Sequence, residues 1–157
     1  MRTLLLTLSF VAAIVTAEAA VVRPAPDFAF PGIGKTRSLK SLRGQPVVLL
    51  IAKSPKTGDF KAQAKLLREI YQQFASKQVV FVAAFTEDAG LIKSDIPFAV
   101  VANGPAVAGA YGVVDKFNIV IIGKDGNVDY QTKKVLPPER IRDVIQNSFA
   151  VQSNTGR

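Results

Sequence analysis

Apolar residues in the first half of the chain predict two buried strands joined by a helix. Val47–Ala52 is a continuous apolar run rich in branched side chains, which is typical of a strand covered on both faces. Over residues 58–76, apolar positions recur at steps of three and four and predict an amphipathic helix. A second apolar run at 79–85 predicts another buried strand. Because a strand, a helix and a strand in this order form a right-handed crossover with parallel pairing, the sequence predicts an α/β core.

The second half of the chain predicts shorter elements, two of which form a hairpin. These elements are a strand at 96–101, a short helix at 105–111, strands at 117–122 and 128–130, and a helix at 138–148. Asp125 and Gly126 supply the turn of an antiparallel hairpin. Asp125, Asn127 and Asp129 also have the spacing of the first calcium ligands of an EF-hand loop. Tyr130 stands where that loop requires glycine, so we interpret the segment as a plain hairpin turn.

Residues 1–19 have the pattern of a secretory signal peptide. A positive start at Arg2 precedes an apolar segment, and small residues precede a cleavage point between Ala19 and Ala20. Cleavage there leaves one domain at 20–150 and a polar tail at 151–157 that we expect to be disordered. Since no second apolar segment reaches spanning length, no transmembrane segment is expected after cleavage, and we expect a secreted or periplasmic protein.

Neither cysteine nor histidine occurs among the 157 residues. Thiol and disulfide chemistry therefore has no residue of this chain to carry it. The absence of histidine also removes Ser-His-Asp triads and Cys/His zinc sites. The sequence thus predicts no catalytic residue, no metal site and no cofactor.

The order of elements and four short motifs resemble the thioredoxin-like fold of the redoxin group. This group contains the alkyl hydroperoxide reductase/thiol-specific antioxidant proteins and exported thiol-disulfide oxidoreductases. The motifs are Ala25-Pro26-Asp27-Phe28, Leu42-Arg43-Gly44-Gln45-Pro46-Val47, Ala110-Tyr111-Gly112-Val113 and Gly123-Lys124-Asp125-Gly126. The resemblance spans residues 25–147 and implies an α/β fold with a central mixed sheet of about four to five strands flanked by helices.

The same resemblance implies that the reactive groups of the family are replaced in this chain. Family members carry a reactive cysteine in the loop between the first central strand and the first helix. In one register Thr57 and Phe60 hold the two positions of the Cys-x-x-Cys pair, and in another Ser54 and Thr57 hold them. The family's cis-proline corresponds to Phe117. A cis bond before a non-proline residue costs about 2.5–4 kcal/mol, so we expect a trans peptide there.

Positive charge is concentrated in one region of the sequence. The net charge is +8, and residues 35–68 contain nine basic residues against one acidic residue, Asp59. Five of the nine follow the central strand or line the next helix: Lys53, Lys56, Lys61, Lys65 and Arg68. Because open α/β sheets bind ligands at the carboxyl ends of their strands, we expect these five to bind an anionic envelope component or an acidic protein. A solvated basic face without a ligand is the alternative interpretation.

The sequence therefore predicts an exported, redox-inactive, thioredoxin-like protein that acts as a binding or scaffolding module. The alternative is an oxidoreductase-type enzyme of the thioredoxin or peroxiredoxin kind that depends on a partner's thiol or a bound cofactor. Nucleic acid is not an expected partner, because the export signal and the lack of interleaved aromatic residues in the basic segment argue against it.

Overall fold

The computed structural model describes the backbone of residues 23–74 and 79–154 and the side chains as far as residue 150. The predicted signal peptide lies outside these residues. The strands are β1 Ala29–Pro31, β2 Thr36–Ser38, β3 Val47–Ala52, β4 Val80–Phe85, β5 Ala99–Val100, β6 Phe117–Ile122 and β7 Val128–Thr132. The helices are α1 Gly58–Phe74, α2 Gly104–Ala110 and α3 Pro138–Asn154, and a 3₁₀ turn covers Leu39–Leu42. Among the helices described, none is both long enough and apolar enough to cross a membrane.

Strand β3 lies at the centre of a five-stranded sheet with the order β5-β4-β3-β6-β7. It pairs in parallel with β4, where Val47 lies opposite Val80, and antiparallel with β6, where Val47 lies opposite Ile122. Helix α1 makes the crossover between β3 and β4, and β6 and β7 form the antiparallel hairpin. The predicted mixed sheet flanked by helices is confirmed.

Both faces of the central sheet are covered, which explains the continuous apolar run of β3. On one face, Leu50 belongs to a cluster with Leu67 of α1 and Ile141 of α3. On the other face, Leu49 belongs to a cluster with Val107 of α2 and with residues of the amino-terminal segment. Since successive side chains of a strand point to opposite faces, a strand with two covered faces needs an apolar residue at every position.

A buried glutamine joins α1 to the segment that precedes α3. The Gln63 side chain is 0% exposed. Its Nε2 donates to the carbonyl oxygen of Leu136 at 3.0 Å, and its Oε1 accepts from the Leu136 N–H at 2.7 Å. Leu136 is itself buried, so the glutamine satisfies backbone groups that have little access to water. The pair of bonds holds the segment just before α3 against the middle of α1.

Two elements differ in extent from the prediction. The strand predicted at 96–101 is reduced to Ala99–Val100. Pro97 has no N–H to give to a ladder, and the N–H of Ile96 is bonded to Ser94 Oγ at 3.1 Å instead. Helix α3, predicted at 138–148, continues to Asn154 and so enters the segment expected to be a disordered tail. Packing of Phe149 on the core, with Lys124 Nζ 3.9 Å from its ring centroid, accounts for the longer helix.

We expect the substitution Gln63→Met to lower the free energy of unfolding by about 2–4 kcal/mol. Methionine has a similar volume but leaves the N–H and C=O of Leu136 buried without partners. Urea denaturation measures the change. Gln72→Met, at an exposed position of the same helix, is the matched control and should shift stability by less than about 0.5 kcal/mol. Equal effects of the two substitutions would contradict the anchoring role of Gln63.

Candidate functional site

The loop between β3 and α1 is a tight, hydrogen-bonded turn. The N–H and the hydroxyl of Thr57 both donate to the carbonyl oxygen of Ser54, at 3.3 and 3.0 Å. The Ser54 hydroxyl oxygen accepts from the backbone N–H of Lys56 at 3.2 Å. Side-chain bonds of this kind are typical of serine and threonine in turns. The hydroxyl groups of Ser54 and Thr57 therefore both take part in the hydrogen bonds that hold the turn.

Buried aromatic rings occupy the two other positions that the resemblance aligns with the family's second cysteine, in one register, and with its cis-proline. Phe60 is 1% exposed, and its ring centroid lies 5.1 Å from that of Phe85 and 5.8 Å from that of Phe98. Phe117 belongs to the same hydrophobic cluster and is buried as well. Its preceding peptide is trans, since no cis bond occurs in the described part of the chain. The expectation of a trans peptide is confirmed, and both positions contribute to the core.

Residues 86–95 pass the carboxyl end of β3 and are fixed to it by backbone bonds. Thr86 N–H donates to the carbonyl oxygen of Ala52 at 2.9 Å. The N–H groups of Glu87 and Asp88 both donate to the carbonyl oxygen of Lys53, at 2.9 and 3.1 Å. This contact brings an acidic segment beside the basic loop, although more than 30 residues of sequence separate the two.

Three of the five cations expected to bind an anion are paired with carboxylates of this acidic segment. The pairs are Lys53 Nζ with Glu87 Oε1 at 2.6 Å, Lys56 Nζ with Asp88 Oδ2 at 3.7 Å, and Arg68 Nη2 with Asp95 Oδ2 at 2.6 Å. All six side chains are substantially exposed, so each pair contributes only about 0–1 kcal/mol to stability. The larger effect of the pairs is to neutralise part of the charge that the sequence concentrates here.

Lys61 and Lys65 are the other two members of the predicted set. They lie four residues apart on α1, and both are exposed. Within residues 23–74 and 79–154, no carboxylate lies within ion-pair distance of either ammonium group. Their charge is therefore free to meet a ligand.

A groove of about 750 Å³ lies between α1 and residues 88–95, and we call it the basic groove. Five cations and two carboxylates line it: Lys56, Lys61, Lys65, Arg68 and Lys93, with Asp88 and Asp95. Apolar lining comes from the buried residues Phe60 and Ala64 and from Leu91, which is 85% exposed. The groove thus combines unpaired positive charge with the exposed apolar side chain of Leu91.

The basic groove includes four of the five predicted residues, and Lys53 lies outside its lining. Sequence reasoning missed Lys93 and Leu91, as well as the two carboxylates. These residues belong to an irregular segment with no periodic pattern. Their position depends on the backbone bonds to Lys53, which only the folded chain shows.

The nine basic residues of 35–68 do not form one surface. Arg43 precedes β3 and lies beside the turn of the β6–β7 hairpin. Its Nε is 3.5 Å from the position that a Cβ atom on Gly126 would occupy. Lys53 follows the other end of β3, about 20 Å of strand away. The guanidinium carbon of Arg37 lies 5.9 Å from the ring centroid of Phe30. The charge that is continuous in sequence is therefore divided in space.

The segment considered for calcium forms a hairpin turn. The backbone N–H and side-chain Nδ2 of Asn127 donate to the two carboxylate oxygens of Asp125, at 3.0 and 2.8 Å. Gly126 has a φ of 80°, which favours glycine at this turn. Burial raises the pKa of Asp129 above its ordinary value, and a hydrogen bond with Ser148 opposes the rise. In the part of the chain that the structure describes, no group of three or more acidic side chains could hold a metal ion.

The first and third motifs of the resemblance meet in the folded chain. The hydroxyl of Tyr111 donates to the carbonyl oxygen of Pro26 at 2.8 Å, and the Tyr111 ring lies 6.3 Å from that of Phe28. Burial raises the pKa of Tyr111 above its usual range. Residues 21–131 match the AhpC/TSA family model, which is well over half of the chain. The chain belongs to the AhpC/TSA family. No curated protein matches it by sequence.

Solved structures show how widely the fold of this AhpC/TSA protein is shared. It is similar to a Chlorobium tepidum protein described as the thiol:disulfide interchange protein DsbE, with 22% identity, a TM-score of 0.68, and coverage of 81% of this chain and 96% of that chain. Peroxidoxin BcpB of Mycobacterium tuberculosis has 17% identity and a TM-score of 0.59, with 83% and 96% covered. The exposed lipoprotein thioredoxin Etrx1 of Streptococcus pneumoniae has 20% identity and a TM-score of 0.61, with 78% and 99% covered. At these identities the similarity shows the thioredoxin-like fold.

We expect a cysteine placed at Phe60 to be inaccessible in this AhpC/TSA protein. Because the native chain has no cysteine, the variants Phe60→Cys and Lys56→Cys each carry a single thiol. Reaction with a chromogenic disulfide should be at least about 100-fold slower for position 60, since reagent reaches it only when the structure opens locally. Lys56 is exposed and serves as the matched control.

In denaturing urea the two thiols should react at similar rates. Phe60→Cys also removes packing from the core, so the comparison needs conditions in which circular dichroism shows the variant to be folded. A thiol at position 60 that reacts as fast as the one at position 56 in the folded protein would show that the site is open.

Proposed function

We propose that this AhpC/TSA protein is exported, is redox-inactive, and binds an anionic component of the cell envelope through the basic groove. The observation that carries the proposal is the pair of unpaired lysines, Lys61 and Lys65, on the solvent side of α1. Export is supported by the signal-peptide pattern of residues 1–19. The similar protein Etrx1, which is described as an exposed lipoprotein, is in keeping with such a location.

Charge and apolar exposure at the groove favour an envelope surface as the partner. Lys93 adds a third exposed lysine without a described ion-pair partner among the residues of the structure. Leu91, two residues away, is 85% exposed. An exposed large aliphatic residue among lysines is well suited to a membrane interface, where the ammonium groups meet anionic head groups and the aliphatic side chain leaves water.

The enzymatic alternative has less support from the structure. An oxidoreductase that uses a partner's thiol needs access to the region where the family places its reactive cysteine. In this chain the hydroxyls of Ser54 and Thr57 are bonded within the turn, and Phe60 is buried. Packing and turn formation account for these residues without a reaction.

We expect the purified protein to reduce insulin with dithiothreitol, and to consume peroxide, no faster than a control without protein. The reason is chemical, since a hydroxyl does not form a nucleophile comparable to a thiolate at neutral pH. Turbidity of the insulin B chain and peroxide absorbance are the two readouts. A rate of insulin reduction or of peroxide consumption above that of the control without protein would refute the hypothesis that the protein is redox-inactive.

We expect the protein to sediment with vesicles that contain phosphatidylglycerol and to remain in solution with vesicles of pure phosphatidylcholine. Each lysine close to an anionic surface contributes about 1 kcal/mol, so Lys61→Gln/Lys65→Gln/Lys93→Gln should lower binding at least about tenfold at low salt. Raising the salt concentration should weaken binding of the native protein, because the interaction is screened.

The matched control for this experiment is the triple variant Lys35→Gln/Lys116→Gln/Lys134→Gln. These lysines are exposed, and none of them lines the basic groove. The control removes the same net charge and should retain most of the vesicle binding. Equal losses in the two variants would show that binding follows net charge, and the proposed site would then be wrong.

A further inference from the structure

We propose that the basic groove binds one molecule of a small anionic amphiphile. The acid group lies between Lys61 and Lys65, and the hydrocarbon portion lies against the exposed side chain of Leu91 and the aliphatic stems of the lysines. The inference rests on the proposed function, because it names the chemical class of ligand for the same site.

The size of the groove favours a small molecule over an extended polymer. Its volume of about 750 Å³ lies within the range of small-molecule sites, which is about 300–1,000 Å³. A polyanion or a folded protein partner would need a broad charged surface. The free charge here is limited to a few side chains along one groove, since three of the neighbouring cations are paired.

Helix geometry places the cationic and apolar parts of the groove side by side. Phe60 and Ala64 are four residues apart and share one stripe of α1, and Lys61 and Lys65 form the adjacent stripe. Phe60 and Ala64 are buried and form the floor of the groove, so a ligand contacts the lysine side chains on the helix and Leu91 on the opposite wall. This arrangement complements an amphiphile, in which the acid group and the hydrocarbon portion are also separate.

Leu91 supplies apolar surface on the opposite side of the groove. Its 85% exposure means that the native fold gains almost nothing from burying it. A hydrocarbon ligand would remove that surface from water at about 25 cal/mol per Å². Leu91 therefore adds to ligand affinity without being required for folding, which makes it a useful position for a test.

Two ion pairs connect the walls of the groove near its ends. Lys56 with Asp88 lies just before α1, and Arg68 with Asp95 lies further along the helix. About 15 Å of helix separates Gly58 from Arg68, and Lys61 and Lys65 lie between these two residues. Because Asp88 and Asp95 repel an anion, the acid group is directed to the unpaired lysines between them.

Isothermal titration calorimetry with dodecanoate, kept below its micelle-forming concentration, tests the inference. Two matched ligands separate the contributions: acetate has the acid group without the chain, and dodecyltrimethylammonium has the chain with the opposite charge. We expect one dodecanoate to bind per protein, and each matched ligand to bind at least about tenfold more weakly. Binding of dodecyltrimethylammonium as tight as that of dodecanoate would overturn the inference.

Variants of the intact protein test the placement of the ligand. Lys61→Gln/Lys65→Gln should weaken dodecanoate binding at least about tenfold, and Leu91→Ser should weaken it about threefold or more. Asp95→Asn should strengthen it, because the substitution releases Arg68 from its partner. Lys116→Gln/Lys134→Gln, outside the groove, should leave the affinity within about twofold. Unchanged affinity in the groove variants would overturn the inference.

The vesicle experiment distinguishes this inference from the function on which it rests. Salt-sensitive vesicle binding without dodecanoate binding would overturn the inference and leave the proposed function in place. Dodecanoate binding that depends on Lys61, Lys65 and Leu91 supports the inference whether or not intact vesicles are bound.

Discussion

Burial of β3 on both faces is the constraint on which the rest of the structure depends. Every residue of Val47–Ala52 is buried, so the strand must have a neighbour on each side and a layer on each face. Helix α1 has to leave the sheet at once and return the chain to β4 as a crossover. The carboxyl ends of β3 and β4 are thereby adjacent, and the loops that follow them meet. The basic groove exists because these two loops share one edge of the sheet.

The same hydrophobic core accounts for Phe60 and Phe117, two residues that the family resemblance aligns with the reactive site. Phe60 packs edge-on against Phe85, and Phe117 enters the same cluster at the start of β6. A reactive thiol needs partial exposure and a polar environment, whereas these rings need the opposite. Phe60 and Phe117 therefore belong to the hydrophobic core, whereas Ser54 and Thr57 belong to the turn before α1. Gln63 is buried beside this cluster, and both its Nε2 and its Oε1 are hydrogen-bonded to the backbone of Leu136.

The fold could be predicted from the sequence because its signals are local. A continuous apolar run identifies β3, helical periodicity identifies α1, and the Asp125-Gly126 turn identifies the β6–β7 hairpin. The site could be predicted only in part. Lys61 and Lys65 follow from helical spacing, but the pairing of Arg68 with Asp95 depends on how residues 86–95 fold back over the sheet edge. Arg43 is separated from the others for a similar reason, since β3 runs between them.

The net charge of a sequence segment differs from the charge that remains unpaired on the folded surface. A ligand of this site interacts with the unpaired charge. The basic segment of 35–68 has the composition of a polyanion-binding region. Once Lys53, Lys56 and Arg68 are paired, the free charge that remains beside α1 is a narrow stripe next to apolar residues. A long polyanion gains affinity by neutralising many cations at once, and this stripe offers few of them. A ligand with one acid group and a hydrocarbon portion would need only the unpaired lysines and Leu91, so the proposed amphiphile matches the charge that the ion pairs leave free.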